Sequence, residues 1–268
     1  MKKRRIVYYT DELNDDFAAT HNKIQAREVK GDYRYRHDQN PFWRFGVFVL
    51  YRLLATPIAA AYMYIGRGLR VKGRRNLKGL KGGYLLYGNH TQMGGDAFTS
   101  TMITFPKRAN ILVHPDIVSI PVARTLVRFM GAIPVPTDRS AARHMLHAMK
   151  TALSKGEVVT VYPEAHIWPW YNGIRHFSDA SFAYPFLFRV PAVGFTVTHR
   201  RRRILRFLPP AATVTIGKPI FPESCANKTE MRDAVYAFMK ETVEKEKSYA
   251  YVQYIKKEES EHEDHRCL

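Results

Sequence analysis

Two side chains in this sequence are well suited to moving a proton: His90 and Asp96, in the run Gly88-Asn89-His90-Thr91-Gln92-Met93-Gly94-Gly95-Asp96. On a regular helix a spacing of six residues would hold them about 240° apart, out of contact. A loop could return the carboxylate to the imidazole, and Gly94-Gly95 supplies residues free to adopt the backbone angles such a return needs. A carboxylate in contact would fix the tautomer of His90 and leave its second nitrogen open to take a proton from a hydroxyl. That pair is a general base without a serine nucleophile. The alternative is a surface imidazole and an aspartate that caps a helix.

The elements that must position the pair follow from short apolar runs. Tyr84 to Tyr87 reads as a buried strand ending at Gly88, with Ile111 to Val113, Ile133 to Val135 and Val158 to Tyr162 as further strands. Between them Ala142, Met145, Leu146, Met149, Ala152 and Leu153 recur at helical spacing, with Ser140 as candidate N-cap and Gly156 as the stop. Ala192 to Thr198 and Ala211 to Ile216 read as strands joined by a turn that carries the basic run His199 to Arg203. A terminal helix opens at Thr229, and beyond Lys247 the charge density predicts a frayed tail. The alternation of strands with amphipathic stretches predicts an α/β layer architecture.

The chain has 268 residues, long enough for a sizeable core, and 42 Lys plus Arg against 24 Asp plus Glu give a formal charge of +18. Such a bias bears on partners rather than fold. A nucleic acid would meet the charge, yet the sequence has no zinc-finger spacing, RNP-like aromatic motif or evident helix-turn-helix, so no nucleic-acid partner is expected. Cys225 and Cys267 have no metal-ligand spacing, which predicts a reducing compartment and no metal. The acidic patch Asp11, Glu12, Asp15 and Asp16 also lacks ligand spacing. No signal peptide is read at the start, because Lys2-Lys3-Arg4-Arg5 leads into polar residues.

Residues 42 to 65 are rich in aromatic and aliphatic side chains but carry Arg44, Arg52 and Pro57, leaving 13 uncharged residues from Leu53 to Ile65. That is short of the roughly 20 that span a bilayer. An amphipathic helix at the lipid–water interface is the expectation, with a helix packed on a soluble core as the alternative. The basic run at 199 to 203, with Arg67, Arg70, Lys72, Arg74 and Arg75, would add to a face attracted to anionic lipid.

Several blocks, taken in order, resemble those of the glycerophospholipid acyltransferase family. His90 and Asp96 resemble its His-x4-Asp signature, here with five intervening residues. Arg70 to Leu77 resembles the stretch before the catalytic strand, and Gly131-Ala132-Ile133-Pro134-Val135-Pro136-Thr137-Asp138-Arg139 the second block. Tyr162-Pro163-Glu164 resembles the start of the third block, though Ala165-His166-Ile167 stands where Gly-Thr-Arg is usual. Val190 to Val193 resembles the fourth, and Ile216 to Ile220 the segment that closes the sheet.

The resemblance implies a mixed, mainly parallel α/β sheet flanked by helices and direct transfer of a fatty acyl group from acyl-CoA or acyl-carrier protein to a lysophospholipid hydroxyl. The leading acceptor is 1-acylglycerol 3-phosphate, and no cofactor is required. It makes His90 the base and Asp96 its orienter, with Asn89 as a substrate-binding residue, Arg139 as a contact to the acceptor phosphate and Glu164 as an acceptor-binding or scaffold residue. Arg175 is either a substitute for the missing phosphate-binding arginine or a solvent-facing arginine, and N–H groups near Gly94 and Gly95 are candidate oxyanion donors. His166 is either a second imidazole near the acceptor or a packed residue beside Trp168 and Trp170.

The expected organisation is a polar extension (1–40), a membrane-associating segment (41–66), an acyltransferase domain (67–247) and a charged tail (248–268), at the cytoplasmic face of a membrane. A catalytically silent lipid-binding relative, or an enzyme using a different acceptor, is the alternative.

Overall fold

A computed structural model describes residues 5–17, 28–30, 33, 40–119 and 123–257. Its centre is a seven-stranded sheet formed by β2 (Arg70–Lys72), β3 (Tyr84–Gly88), β4 (Ala109–Val113), β5 (Ala132–Pro134), β6 (Val158–Val161), β7 (Ala192–Arg200) and β8 (Ala211–Ile220). The spatial order is β2-β8-β7-β3-β6-β4-β5, parallel at every pairing except β7 with β8. A separate parallel pair joins β1 (Arg5–Tyr9) to β9 (Val252–Lys256).

β3 shows why the sheet is covered on both faces. Its side chains alternate, Leu85 and Tyr87 to one side and Tyr84 and Leu86 to the other, and all four are buried. On the first face α5 (Arg139–Ser154) contributes Met145, Met149 and Ala152, and α7 (Lys228–Glu246) contributes Met231, Val235 and Met239. The opposite face is covered by Ala59 and Met63 of α1 (Pro41–Gly66) and by Met102 and Ile103 of α2 (Asp96–Thr104). Three shorter helices, α3 (Pro115–Ser119), α4 (Ala123–Phe129) and α6 (Ala183–Phe188), fill the connections.

Four expectations change. Asp138, not Ser140, caps α5, because its carboxylate accepts the Ala141 N–H at 2.7 Å. α7 opens at Lys228, where the Asn227 side chain accepts the Glu230 N–H at 3.0 Å. The tail is not frayed through Lys256: the apolar residues among its charges pair with β1, and residues 258–268 lie outside the described residues.

The fourth change is α1. Pro57 does not break it, and 26 residues run continuously from Pro41 to Gly66, about 39 Å at 1.5 Å per residue. A proline lacks an N–H and crowds the carbonyl four residues back. The helix accommodates it by widening over Val49–Ala55, where the Thr56 N–H reaches the Tyr51 carbonyl five residues back. By length and composition α1 could cross a membrane. Tyr51, Ala59 and Met63 bury one side of it, while Phe42, Phe45, Phe48, Leu53, Leu54, Ile58 and Ile65 stay exposed.

Candidate active site

The carboxyl ends of parallel strands form the edge where α/β sheets hold their ligands. β3 brings His90 to that edge. Gly88 is required just before it, because a Cβ there would lie 2.0 Å from the Phe195 ring of β7. Asn89 then faces inward, accepting the Val197 N–H at 2.7 Å and donating to the Val197 carbonyl at 3.0 Å. This side chain extends the pairing of β3 with β7 and is buried.

The His90 backbone is held on both sides. Its N–H donates to Glu164 Oε2 at 3.1 Å, and its carbonyl accepts the Trp168 N–H at 3.1 Å. The Thr91 carbonyl accepts the Trp170 N–H at 2.8 Å. The chain then turns so that the Gln92 carbonyl receives two N–H groups, from Gly95 at 2.8 Å and Asp96 at 3.1 Å. Gly94 sits at φ +70°, a left-handed conformation that favours glycine. This turn absorbs the additional residue between histidine and aspartate. The Gly95 N–H is committed to this turn.

Asp96 becomes the first residue of α2, and its Oδ2 lies 2.7 Å from His90 Nδ1. The same oxygen accepts the Gln92 N–H at 3.0 Å, so the carboxylate is fixed before it meets the ring. The Asp96 side chain is 4% exposed and that of His90 24% exposed. With Nδ1–H directed to the carboxylate, Nε2 carries the lone pair.

Tyr162 is the residue that sequence reasoning passed over. Its ring stacks on His90 at 4.6 Å between centroids, and its hydroxyl donates to the Asp96 carbonyl at 2.7 Å. Burial, aided by the Asp96 charge, pushes its pKa well above the phenol range, so it remains a neutral donor. The signal was its place at the carboxyl end of β6, the strand paired with β3.

Glu164 and Arg175 form a buried pair behind the loop. Glu164 Oε1 accepts the Arg175 N–H at 3.1 Å, and Arg175 Nη2 lies 3.4 Å from Oε2. The guanidinium also donates to the carbonyls of Glu164, His166 and Glu12 and sits 4.9 Å from the Trp168 ring centroid. Burial raises the Glu164 pKa, opposed chiefly by the Arg175 charge. Arg175 is 0% exposed. Both face inward: Glu164 holds the His90 N–H, and Arg175 holds Glu164.

Arg139 stands exposed at the start of α5, which follows β5, three strands along the sheet from β3. His166 leans toward Asp16, Nδ1 to Oδ2 at 3.6 Å. In the acidic patch, Asp11 and Asp15 accept backbone N–H groups of their own turn, and the described residues contain no cluster fit to hold a metal. Cys225 is a free thiol, and Cys267 lies outside the described residues.

Two residues of the basic runs are also buried instead of facing lipid. Arg67, 7% exposed, stacks over Trp170 at 4.3 Å, and its Nε and Nη2 have no hydrogen-bond partner among the described residues. Burial lowers its pKa, while the Tyr62 and Asp96 charges oppose that shift. His199 lies within β7 and not on the turn after it, with Nε2 3.1 Å from Thr91 Oγ1. The threonine proton goes to the Tyr171 carbonyl, which makes His199 Nε2–H the donor.

Burial, then the Arg67 charge, pushes the His199 pKa down to about 3 from 6.5. The unfolded histidine protonates below about pH 6.5 while the folded one does not. Stability is therefore lost as pH falls from 6.5 toward 3, at up to about 1.4 kcal/mol per pH unit. The urea midpoint should fall less between pH 7 and pH 5 in His199→Gln than in the wild type. Equal falls would remove His199 as the source.

Residues 68–191 match the family model described as Acyltransferase. The fold is similar to the crystal structure of PlsC, the 1-acyl-sn-glycerophosphate acyltransferase of Thermotoga maritima, with a TM-score of 0.58 and 18% identity over 78% of this chain and 88% of that one. No curated protein matches the sequence. Family match and architecture agree with the order of blocks read along the sequence: residues 68–191 are similar to the Acyltransferase family, on a fold similar to that of PlsC.

Proposed function

We propose that the chain transfers a fatty acyl group from acyl-CoA or acyl-carrier protein to the hydroxyl of a lysophospholipid, with 1-acylglycerol 3-phosphate as the leading acceptor. The observation that carries this reading is the 2.7 Å contact between His90 Nδ1 and Asp96 on a partly exposed imidazole. His90 Nε2 takes the hydroxyl proton as the acceptor oxygen attacks the thioester carbonyl carbon. The tetrahedral oxyanion then collapses, the carbon–sulfur bond breaks, and the thiolate leaves with the proton held on Nε2. Asp96 stabilises the imidazolium between these steps.

The reading assigns Arg139, exposed at the start of α5 on the sheet edge, to the acceptor phosphate. A guanidinium matches phosphate oxygens in a bidentate geometry. The bulk of the protein would work from the cytoplasmic face of a membrane, with the exposed side of α1 in the interface.

The deciding assay supplies purified protein in anionic vesicles with an acyl thioester and either lysophosphatidic acid or monoacylglycerol, following product mass and free thiol. Transfer to the phosphate-bearing acceptor, exceeding that to the neutral one, is expected. Preference for monoacylglycerol would overturn the acceptor assignment. Asp96→Asn should lower kcat about 10²-fold or more with little change in acceptor KM, because the carboxylate acts through His90. Near-normal turnover would remove Asp96 from the mechanism.

A further inference from the structure

Far from the dyad, a cavity of about 420 Å³ opens between the first half of α1 and the amino edge of the sheet. Its charged lining is Arg44, Arg52, Arg108, Lys155 and Glu157, four cations to one carboxylate. Arg108 immediately precedes β4, and Lys155 and Glu157 precede β6, whereas His90 follows the end of β3. Because these strands are parallel, the cavity and the dyad lie at opposite ends of the sheet.

The cavity has the chemistry of an anion site with one apolar wall. Arg52 donates through Nη2 to the Pro106 carbonyl, but its Nη1 is buried with no hydrogen-bond partner among the described residues. A buried donor without an acceptor is costly, and this one belongs to a side chain that lines the cavity. The guanidinium groups of Arg52 and Arg108 lie 5.7 Å and 5.2 Å from the centroid of the same Tyr51 ring, and both residues line the cavity. Val47 and Phe48 line the helix side, and the exposed Phe45 and Phe48 continue this apolar surface outward.

We propose that this cavity binds the phosphate of an anionic bilayer phospholipid, whose acyl chains follow the exposed aromatic side of α1 into the membrane. A soluble anion would satisfy the arginines but not the apolar surface beside them. The binding does not depend on the transfer reaction. α1 then carries a bound lipid near its start, while near its end the Tyr62 hydroxyl lies 3.5 Å from where a Cβ on Gly94 would stand, against the catalytic loop.

The test is co-sedimentation of the full chain with phosphatidylcholine vesicles, with and without phosphatidylglycerol. Arg44→Gln/Arg52→Gln should weaken binding to the anionic vesicles at least about tenfold. Arg143→Gln/Lys150→Gln removes the same charge from the exposed face of α5 and should cost less than about twofold. Equal losses in the two pairs would mean diffuse attraction and overturn the site, as would unchanged binding in the first pair. Arg44→Gln alone, a change at an exposed position, keeps the test informative should the Arg52 change disturb folding; about a threefold loss is expected. Stabilisation of the vesicle-free wild type by inorganic phosphate, absent in the double variant, together with unchanged vesicle binding in that variant, would assign the cavity to soluble phosphate and overturn the lipid assignment.

Discussion

His90→Ala should lower kcat for acyl transfer by about 10³- to 10⁴-fold, the upper part of what a positioned general base contributes. The side chain is partly exposed and its backbone bonds to Glu164 and Trp168 do not involve the ring, so the variant should fold normally. The measurement is product mass and thiol release under saturating acceptor, with circular dichroism as the check on folding. Retention of more than a tenth of wild-type turnover in a folded variant would show that another group takes the proton.

Arg175→Met should destabilise the fold by about 3–5 kcal/mol, since it strands the Glu164 carboxylate in a buried site without its cation. Urea denaturation would measure the loss directly. Adding Glu164→Gln to Arg175→Met removes the stranded charge while keeping an oxygen to accept a backbone N–H. A substantial part of the stability should return, because removing both charges of a buried pair is far less costly than removing one. A single variant as stable as the wild type would mean that the pair is open to water.

Much of this arrangement could be read along the chain. Apolar runs gave the strands, and Gly94-Gly95 beside His90 gave a loop able to return Asp96, because backbone permissiveness is a local property. The side-chain contacts behind the loop could not be read this way. Arg175 is separated from Glu164 by ten residues, and nothing in either residue type tells a solvent-facing charge from a buried ion pair. The same limit hid Arg67 and His199, whose burial depends on Trp170 and Thr91 arriving from other parts of the fold. Pro57 was overweighted, since a wider turn can absorb it within a continuing helix. β9 was lost in the average charge of the tail, although a strand needs only a few pairing residues.

The β1–β9 pair has a kinetic consequence. Its register joins Arg5 to Val252, so forming it closes a loop of roughly 250 residues, an entropic cost that strand pairs close in sequence do not meet. It should therefore form late in folding and open early in unfolding. Its residues do not stand apart from the site: Tyr9 and Tyr254 both pack on Trp168, whose N–H holds the His90 carbonyl. A chain that has already built its seven-stranded sheet would still lack the packing behind its catalytic loop, and activity should be the last property gained on refolding and the first lost in denaturant.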